Sequence, residues 1–157
     1  MKSLKRKLFL TGLLLFSSFG LFAQTGIETI GTAAGASLTT ADYCVIFGDS
    51  AGYSLTSSSY NTLIGYRAGY LINSGDEDNT VIGAEAMDQS SVAFDNVVIG
   101  KWAARTLDDG DNVVIGVEAG QAMTDAADNV IIGEEAGQAL TTGDDNIMIG
   151  EDAGYDQ

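Results

Sequence analysis

A glycine returns about every seventeen residues along nearly the whole chain, and that period constrains the fold more than any other feature. The central glycines are Gly31, Gly48, Gly65, Gly83, Gly100, Gly116, Gly133 and Gly150, at steps of 17, 17, 18, 17, 16, 17 and 17. Each closes a short β-branched segment, as in Asn112-Val113-Val114-Ile115-Gly116 and its copies. Self-similarity at a short fixed period marks a stacked-repeat architecture. Seventeen residues with two or three glycines leave no room for two helices. Each unit therefore reads as a short strand, a glycine turn, a second extended segment and a polar loop such as Thr141 to Asp145. One unit cannot bury its apolar side alone, whereas units stacked in parallel share a continuous thin core. The expected fold is all-β: a parallel β-solenoid, or β-roll, of eight coils of about seventeen residues. The chain has no proline, which suits unbroken backbone ladders.

Positions counted from the central glycine form columns. Position −1 holds Ile30, Phe47, Ile64, Ile82, Ile99, Ile115, Ile132 and Ile149, and position −3 holds Glu28, Val45, Thr62, Thr80, Val97, Val113, Val130 and Ile147. These two columns share a strand face, because side chains alternate with period two, and they are expected to build the core. Position −2 (Thr29, then Ile46, Leu63, Val81, Val98, Val114, Ile131 and Met148) should then point outward, yet it is large and apolar. Such a stripe on a lone solenoid marks an interface, so Ile46 to Met148 are expected to meet other copies of the chain. The alternative is a wider coil that turns all three columns inward. Position +3 is always alanine, from Ala34 to Ala153, where only a small side chain fits. Position +7 holds Leu38, Leu55, Ile72, Leu107, Met123 and Leu140, with Ser90 the exception.

The N-terminus reads differently. Lys2, Lys5, Arg6 and Lys7 precede an apolar run, Leu8 to Phe22, that is too short and interrupted for a comfortable membrane span. Residues 1–23 read as a signal peptide cut after Ala23, leaving 24–157 as a β-solenoid domain that is secreted or held at the cell surface. A retained anchor is the alternative, since Leu21 stands where cleavage sites favour a small residue. After removal only Arg67, Lys101 and Arg105 oppose 22 acids, a net charge of −19. That charge excludes nucleic acid as a partner, because a phosphate backbone demands a basic footprint. The single cysteine, Cys44, cannot form an internal disulfide and reads as a buried thiol, with pairing between chains as the alternative.

The site chemistry points away from an enzyme. Histidine is absent, which removes the commonest general base. The carboxylates sit in repeating columns rather than as one distinct pair. The column Asp78, Asp95, Asp111, Asp128 and Asp145 is the best candidate for a metal site. Like charges stacked roughly 5 Å apart invite a bridging cation, and calcium, a hard ion taking several oxygen ligands, would suit. Turn preference in a solvated acidic edge is the plainer account of the same residues. The neighbouring Asn61, Asn79, Asn96, Asn112, Asn129 and Asn146 could stack as amide ladders, with Cys44 in their column; turn preference is the simpler account of these asparagines and could hold alongside it. Tyr53, Tyr66, Tyr70, Trp102 and Tyr155 lie outside the core columns, as a binding face or as ordinary surface aromatics.

The run Asp111-Asn112-Val113-Val114-Ile115-Gly116-Val117-Glu118-Ala119, with its copies, resembles the head repeats of trimeric autotransporter adhesins, the YadA-like heads. That resemblance implies a left-handed parallel β-roll with three chains around a central axis, and adhesion as the activity. The coils here are longer, and the −2 position is larger than the family's alanine. No stalk or membrane barrel follows Gln157, so the expectation is a free head-like module, a fragment, or a subunit held by another protein. Two functions compete: an adhesin-like head that contacts a host, a neighbouring cell or a matrix, and a subunit of an extracellular filament in which solenoids stack head to tail. An ice- or crystal-binding face lacks the regular threonine rows it requires.

Overall fold

The computed structural model describes residues 26–73, 75 and 78–155; the signal-peptide reading of 1–23 lies outside them. Eight three-residue strands follow one another: β1 (Glu28–Ile30), β2 (Val45–Phe47), β3 (Thr62–Ile64), β4 (Thr80–Ile82), β5 (Val97–Ile99), β6 (Val113–Ile115), β7 (Val130–Ile132) and β8 (Ile147–Ile149). They form one parallel sheet in sequence order, β1 to β8, and the described residues contain no helix. The chain is a parallel β-solenoid, as the period predicts, with each strand one coil further along the rod.

Register follows the repeat even where the spacing does not. The 18-residue step pairs Thr62 with Thr80, and the 16-residue step pairs Val97 with Val113. The extra and missing residues are therefore absorbed in the polar loops. This is the expected outcome when a slip of one position would turn every strand side chain to the opposite face.

The interior is thin, and four columns recur through it, joined by Ala41, Ser58, Ala93 and Ala126 at +10 and by Met87 and Ala104 at +4. Position −2 supplies Ile46, Leu63, Val81, Val98, Val114 and Ile131, all fully buried. Opposite them stand the +3 alanines, Ala51 to Ala136, and the +7 column of Leu55, Ile72, Leu107 and Met123. Ser90, the polar exception at +7, is also buried and donates its hydroxyl to the Leu107 carbonyl.

The fourth column is asparagine. The Asn112 amide donates to Asn96 Oδ1 at 3.1 Å, and the Asn129 amide to Asn112 Oδ1 at 3.0 Å. The same acceptors take the backbone N–H of the next coil, 3.0 Å from Asn129 N to Asn112 Oδ1. The second amide proton is shared: Asn112 Nδ2 lies 2.7 Å from the Gly110 carbonyl, two residues upstream, and 2.8 Å from the Ala126 carbonyl, fourteen residues on. The ladder runs from Asn61 to Asn146. A buried amide is tolerable only because every donor and acceptor is used. Cys44 heads this column as a buried free thiol whose pKa burial raises.

Candidate association face

The sheet shows the opposite orientation from the one expected of it. Ile46, Leu63, Val81, Val98, Val114 and Ile131, read as a partner-facing stripe, lie inside the coil, with Met148 half-buried against the same core. Columns −1 and −3, read as core, face outward. Phe47 and Ile64 are 38% and 36% exposed, Ile30, Ile147 and Ile149 in the end coils 59%, 75% and 65%, and the other members of both columns between β2 and β7 are half-buried. Alternation was right that −1 and −3 share a face, but it cannot say which face is inside. The interior goes to the middle residue because a three-residue strand between two turns can aim only that one at the opposite wall. The wider coil with all three columns inward is likewise not what forms.

The central glycines make this geometry possible. Gly116 has φ 143°, and a Cβ built on it would lie 2.5 Å from the Gly133 carbonyl carbon and 3.1 Å from Glu134 N. The next coil's backbone passes directly against the glycine, leaving no space for any side chain. Three further positions of each coil hold left-handed conformations, −5, +2 and +4, the last mostly glycine, as at Gly52 and Gly120. At −5 these are Tyr43 and Tyr60, followed by Asp78, Asp95, Asp111, Asp128 and Asp145, with φ between 55° and 62°. At +2 they include Arg67, Glu85, Trp102, Glu118 and Glu135. Aspartate suits the first column, since it tolerates this region better than most residues.

The outward face is thus a flat, largely aliphatic strip two side chains wide, running the length of eight strands, about 34 Å at ~4.8 Å per strand. The −5 column borders it on one side. On the other is the +1 column, which includes Asp49, Tyr66, Ala84, Lys101, Val117, Glu134 and Glu151. Both rims are mostly exposed and mostly acidic or aromatic.

The remaining polar groups are largely spent within the chain. Asp88, fully buried, holds Arg105 Nε at 2.8 Å and Arg67 Nη2 at 3.3 Å. Loop carboxylates brace the preceding coil: Asp49 accepts from Thr32 N at 2.9 Å, and Asp144 from Ala127 N at 3.0 Å. Asp78, Asp95, Asp111, Asp128 and Asp145 are exposed, and among the described residues no group of three or more acidic, histidine or cysteine side chains gathers where it could hold a metal. Glu135 sits among Asp152, Glu118, Glu134 and Glu151; partial desolvation and those charges raise its carboxyl pKa.

The surface aromatics are more ordered than a sequence scan suggests. Tyr53, Tyr70 and Tyr155 all stand at +5, and Tyr53 stacks on Tyr70 at 5.0 Å. Arg67 lies over the Tyr70 ring at 4.4 Å. Tyr43 and Tyr60 stack at 5.2 Å on the −5 rim. The signal that could have found these pairs was present: residues one period apart stack in a solenoid.

No known protein family, curated protein or solved structure matches this chain.

Proposed function

We propose that the chain is a non-enzymatic extracellular rod, an adhesin-like head whose copies join side by side along the outward face of the sheet. One observation carries the reading: columns −3 and −1 place valine, isoleucine and phenylalanine on the outside of successive strands. Scattered surface hydrophobics are ordinary, but a contiguous apolar strip of this length on a soluble protein marks an interaction surface. An export signal over residues 1–23 would deliver the rod outside the cell. Its net charge of −19 after cleavage would keep assembled rods soluble and apart from one another. The resemblance to YadA-like heads supports three chains around an axis parallel to the rod, each a left-handed roll, with the acidic loops turned outward as the contact surface. Beads coated with the purified protein, presented to cells and to extracellular matrix, test the activity. Retention that is lost when Ile115→Asp separates the copies supports an adhesive head; no retention of the wild type on any surface overturns it.

A further inference from the structure

The rims of the outward face carry a charge pattern that fits a second copy lying alongside, pointing the same way and at the same height. We propose that Lys101 of one copy pairs with Asp95 of its neighbour, so that rods associate parallel and in register. This rests on the lateral association proposed above.

Among the described residues Lys101 is the basic side chain that makes no ion pair. Of the three basic residues after residue 23, Arg67 and Arg105 are bound to Asp88, and Arg105 also reaches Glu85 at 3.6 Å. Lys101 is exposed, rests its ammonium 3.7 Å over the ring of Trp102, and makes no ion pair among the described residues. It stands on the +1 rim just past β5. Asp95 is exposed on the −5 rim of the same coil, held in a left-handed conformation at φ 55°.

Rotation about an axis parallel to the rod brings the −5 rim of one copy to the +1 rim of the next, coil against like coil. At those levels Asp95 meets Lys101, Tyr60 meets Tyr66, Tyr43 meets Asp49, and Asp111 meets Val117. Like charges oppose each other only in the last two coils, at Asp128 with Glu134 and Asp145 with Glu151. An antiparallel copy sets each rim against itself: Asp78 then meets Asp95 and Asp49 meets Glu134, as many like-charge pairs as in the parallel copy, but Lys101 faces Ala84 and no carboxylate. The attractive pair of Lys101 with Asp95, available only to the parallel copy, therefore separates the two docking modes. A slip by one coil would still offer Lys101 a carboxylate, but it uncovers one apolar strand on each copy. Charge therefore sets the direction, and apolar overlap sets the register.

Sedimentation velocity over a concentration series, with far-UV circular dichroism to confirm folding, tests the pairing through Lys101→Asp and Asp95→Lys. Each variant alone is expected to associate about tenfold more weakly than the wild type or worse. An equimolar mixture is expected to recover, because each variant supplies the charge that the other's rim lacks. Recovery is full in a two-copy assembly and partial in a three-copy ring, where one like-charge contact remains. Lys101→Asp mixed with Asp111→Lys is expected not to recover; recovery there shows a one-coil slip and overturns the register. Singles that associate like the wild type, or that weaken without recovery in the first mixture, overturn the pairing while leaving lateral association standing. A wild type that sediments as a single chain at every concentration overturns the association itself and the pairing with it.

Discussion

Replacing Gly116 by alanine isolates the contact on which coil stacking depends, and Gly150 provides its control within the same molecule. Both glycines have φ values closed to side chains, 143° and 131°. Alanine at either site therefore incurs backbone strain of about 1–3 kcal/mol. At Gly150 nothing lies within 4 Å of the added methyl, so strain is the whole cost. At Gly116 the methyl would sit 2.5 Å from the Gly133 carbonyl carbon, closer still to its oxygen, and 3.1 Å from Glu134 N. These are backbone atoms of the next coil and cannot swing aside. Relief requires the coils to part locally by roughly 1 Å, judged against ordinary carbon contacts of about 3.5 Å or more. The nearest coil-to-coil hydrogen bonds are Gly133 N to the Ile115 carbonyl at 2.8 Å and Glu135 N to the Val117 carbonyl at 2.9 Å. Losing two bonds at about 0.5–1.5 kcal/mol each adds about 1–3 kcal/mol to the strain. Gly116→Ala is thus expected to cost about 2–6 kcal/mol, and Gly150→Ala about 1–3 kcal/mol. Urea unfolding followed by circular dichroism measures both. Amide exchange around Gly133 shows whether the disruption is local, as nearest-neighbour coupling in repeat proteins allows. Equal costs for the two variants would refute the close approach of successive coils.

Other expectations follow from the interior and the edges. Asn112→Ala strips a buried residue that accepts two bonds from Asn129, and should cost about 2–4 kcal/mol; Asn146→Ala, at the half-exposed end of the ladder, should cost clearly less in the same urea titration. Arg105→Ala leaves the buried Asp88 with Arg67 alone, and a loss of about 1–3 kcal/mol is expected, since a buried carboxylate short of partners is expensive. The raised pKa of Glu135 means that the folded state binds this proton more readily than the unfolded chain. Stability should therefore rise as pH falls from neutral through that raised pKa. Glu135→Gln should raise the melting temperature at neutral pH and flatten its rise on acidification.

The period, the parallel stacking and the recurrence of three interior columns were legible in the sequence, because each repeats one residue type, although turn preference was the simpler account of the asparagines. Alanine at +3, leucine or methionine at +7 and asparagine at −4 mark places where only a small, an aliphatic or a hydrogen-bonding group fits. The direction of the strand faces was not legible from hydrophobicity, since both faces are apolar and amphipathic contrast vanishes. A weaker cue was available. Column −3 admits Thr62 and Thr80, and −1 admits Phe47, whereas −2 stays aliphatic from Ile46 to Met148. A column that tolerates polar or oversized groups is the one with room outside. The left-handed positions were hidden for another reason. Arg67, Trp102 and Glu118 carry no turn preference, and the coil geometry imposes their conformation. Met87 and Ala104, at φ 47° and 43°, likewise stand where most coils place a left-handed glycine.

The neighbouring residues Val98 and Ile99 separate two questions, which strand face points outward and what covers it. Sedimentation velocity of the wild type, Val98→Asp and Ile99→Asp tests both at once. Ile99 lies on the outward strip, so an aspartate there should yield a folded single chain from a wild type that sediments as an assembly. Val98 is fully buried, so an aspartate there places an unpaired charge in the core and should unfold the coil stack. A wild type that is already a single chain, or an Ile99→Asp variant that unfolds while Val98→Asp stays folded, would contradict the account.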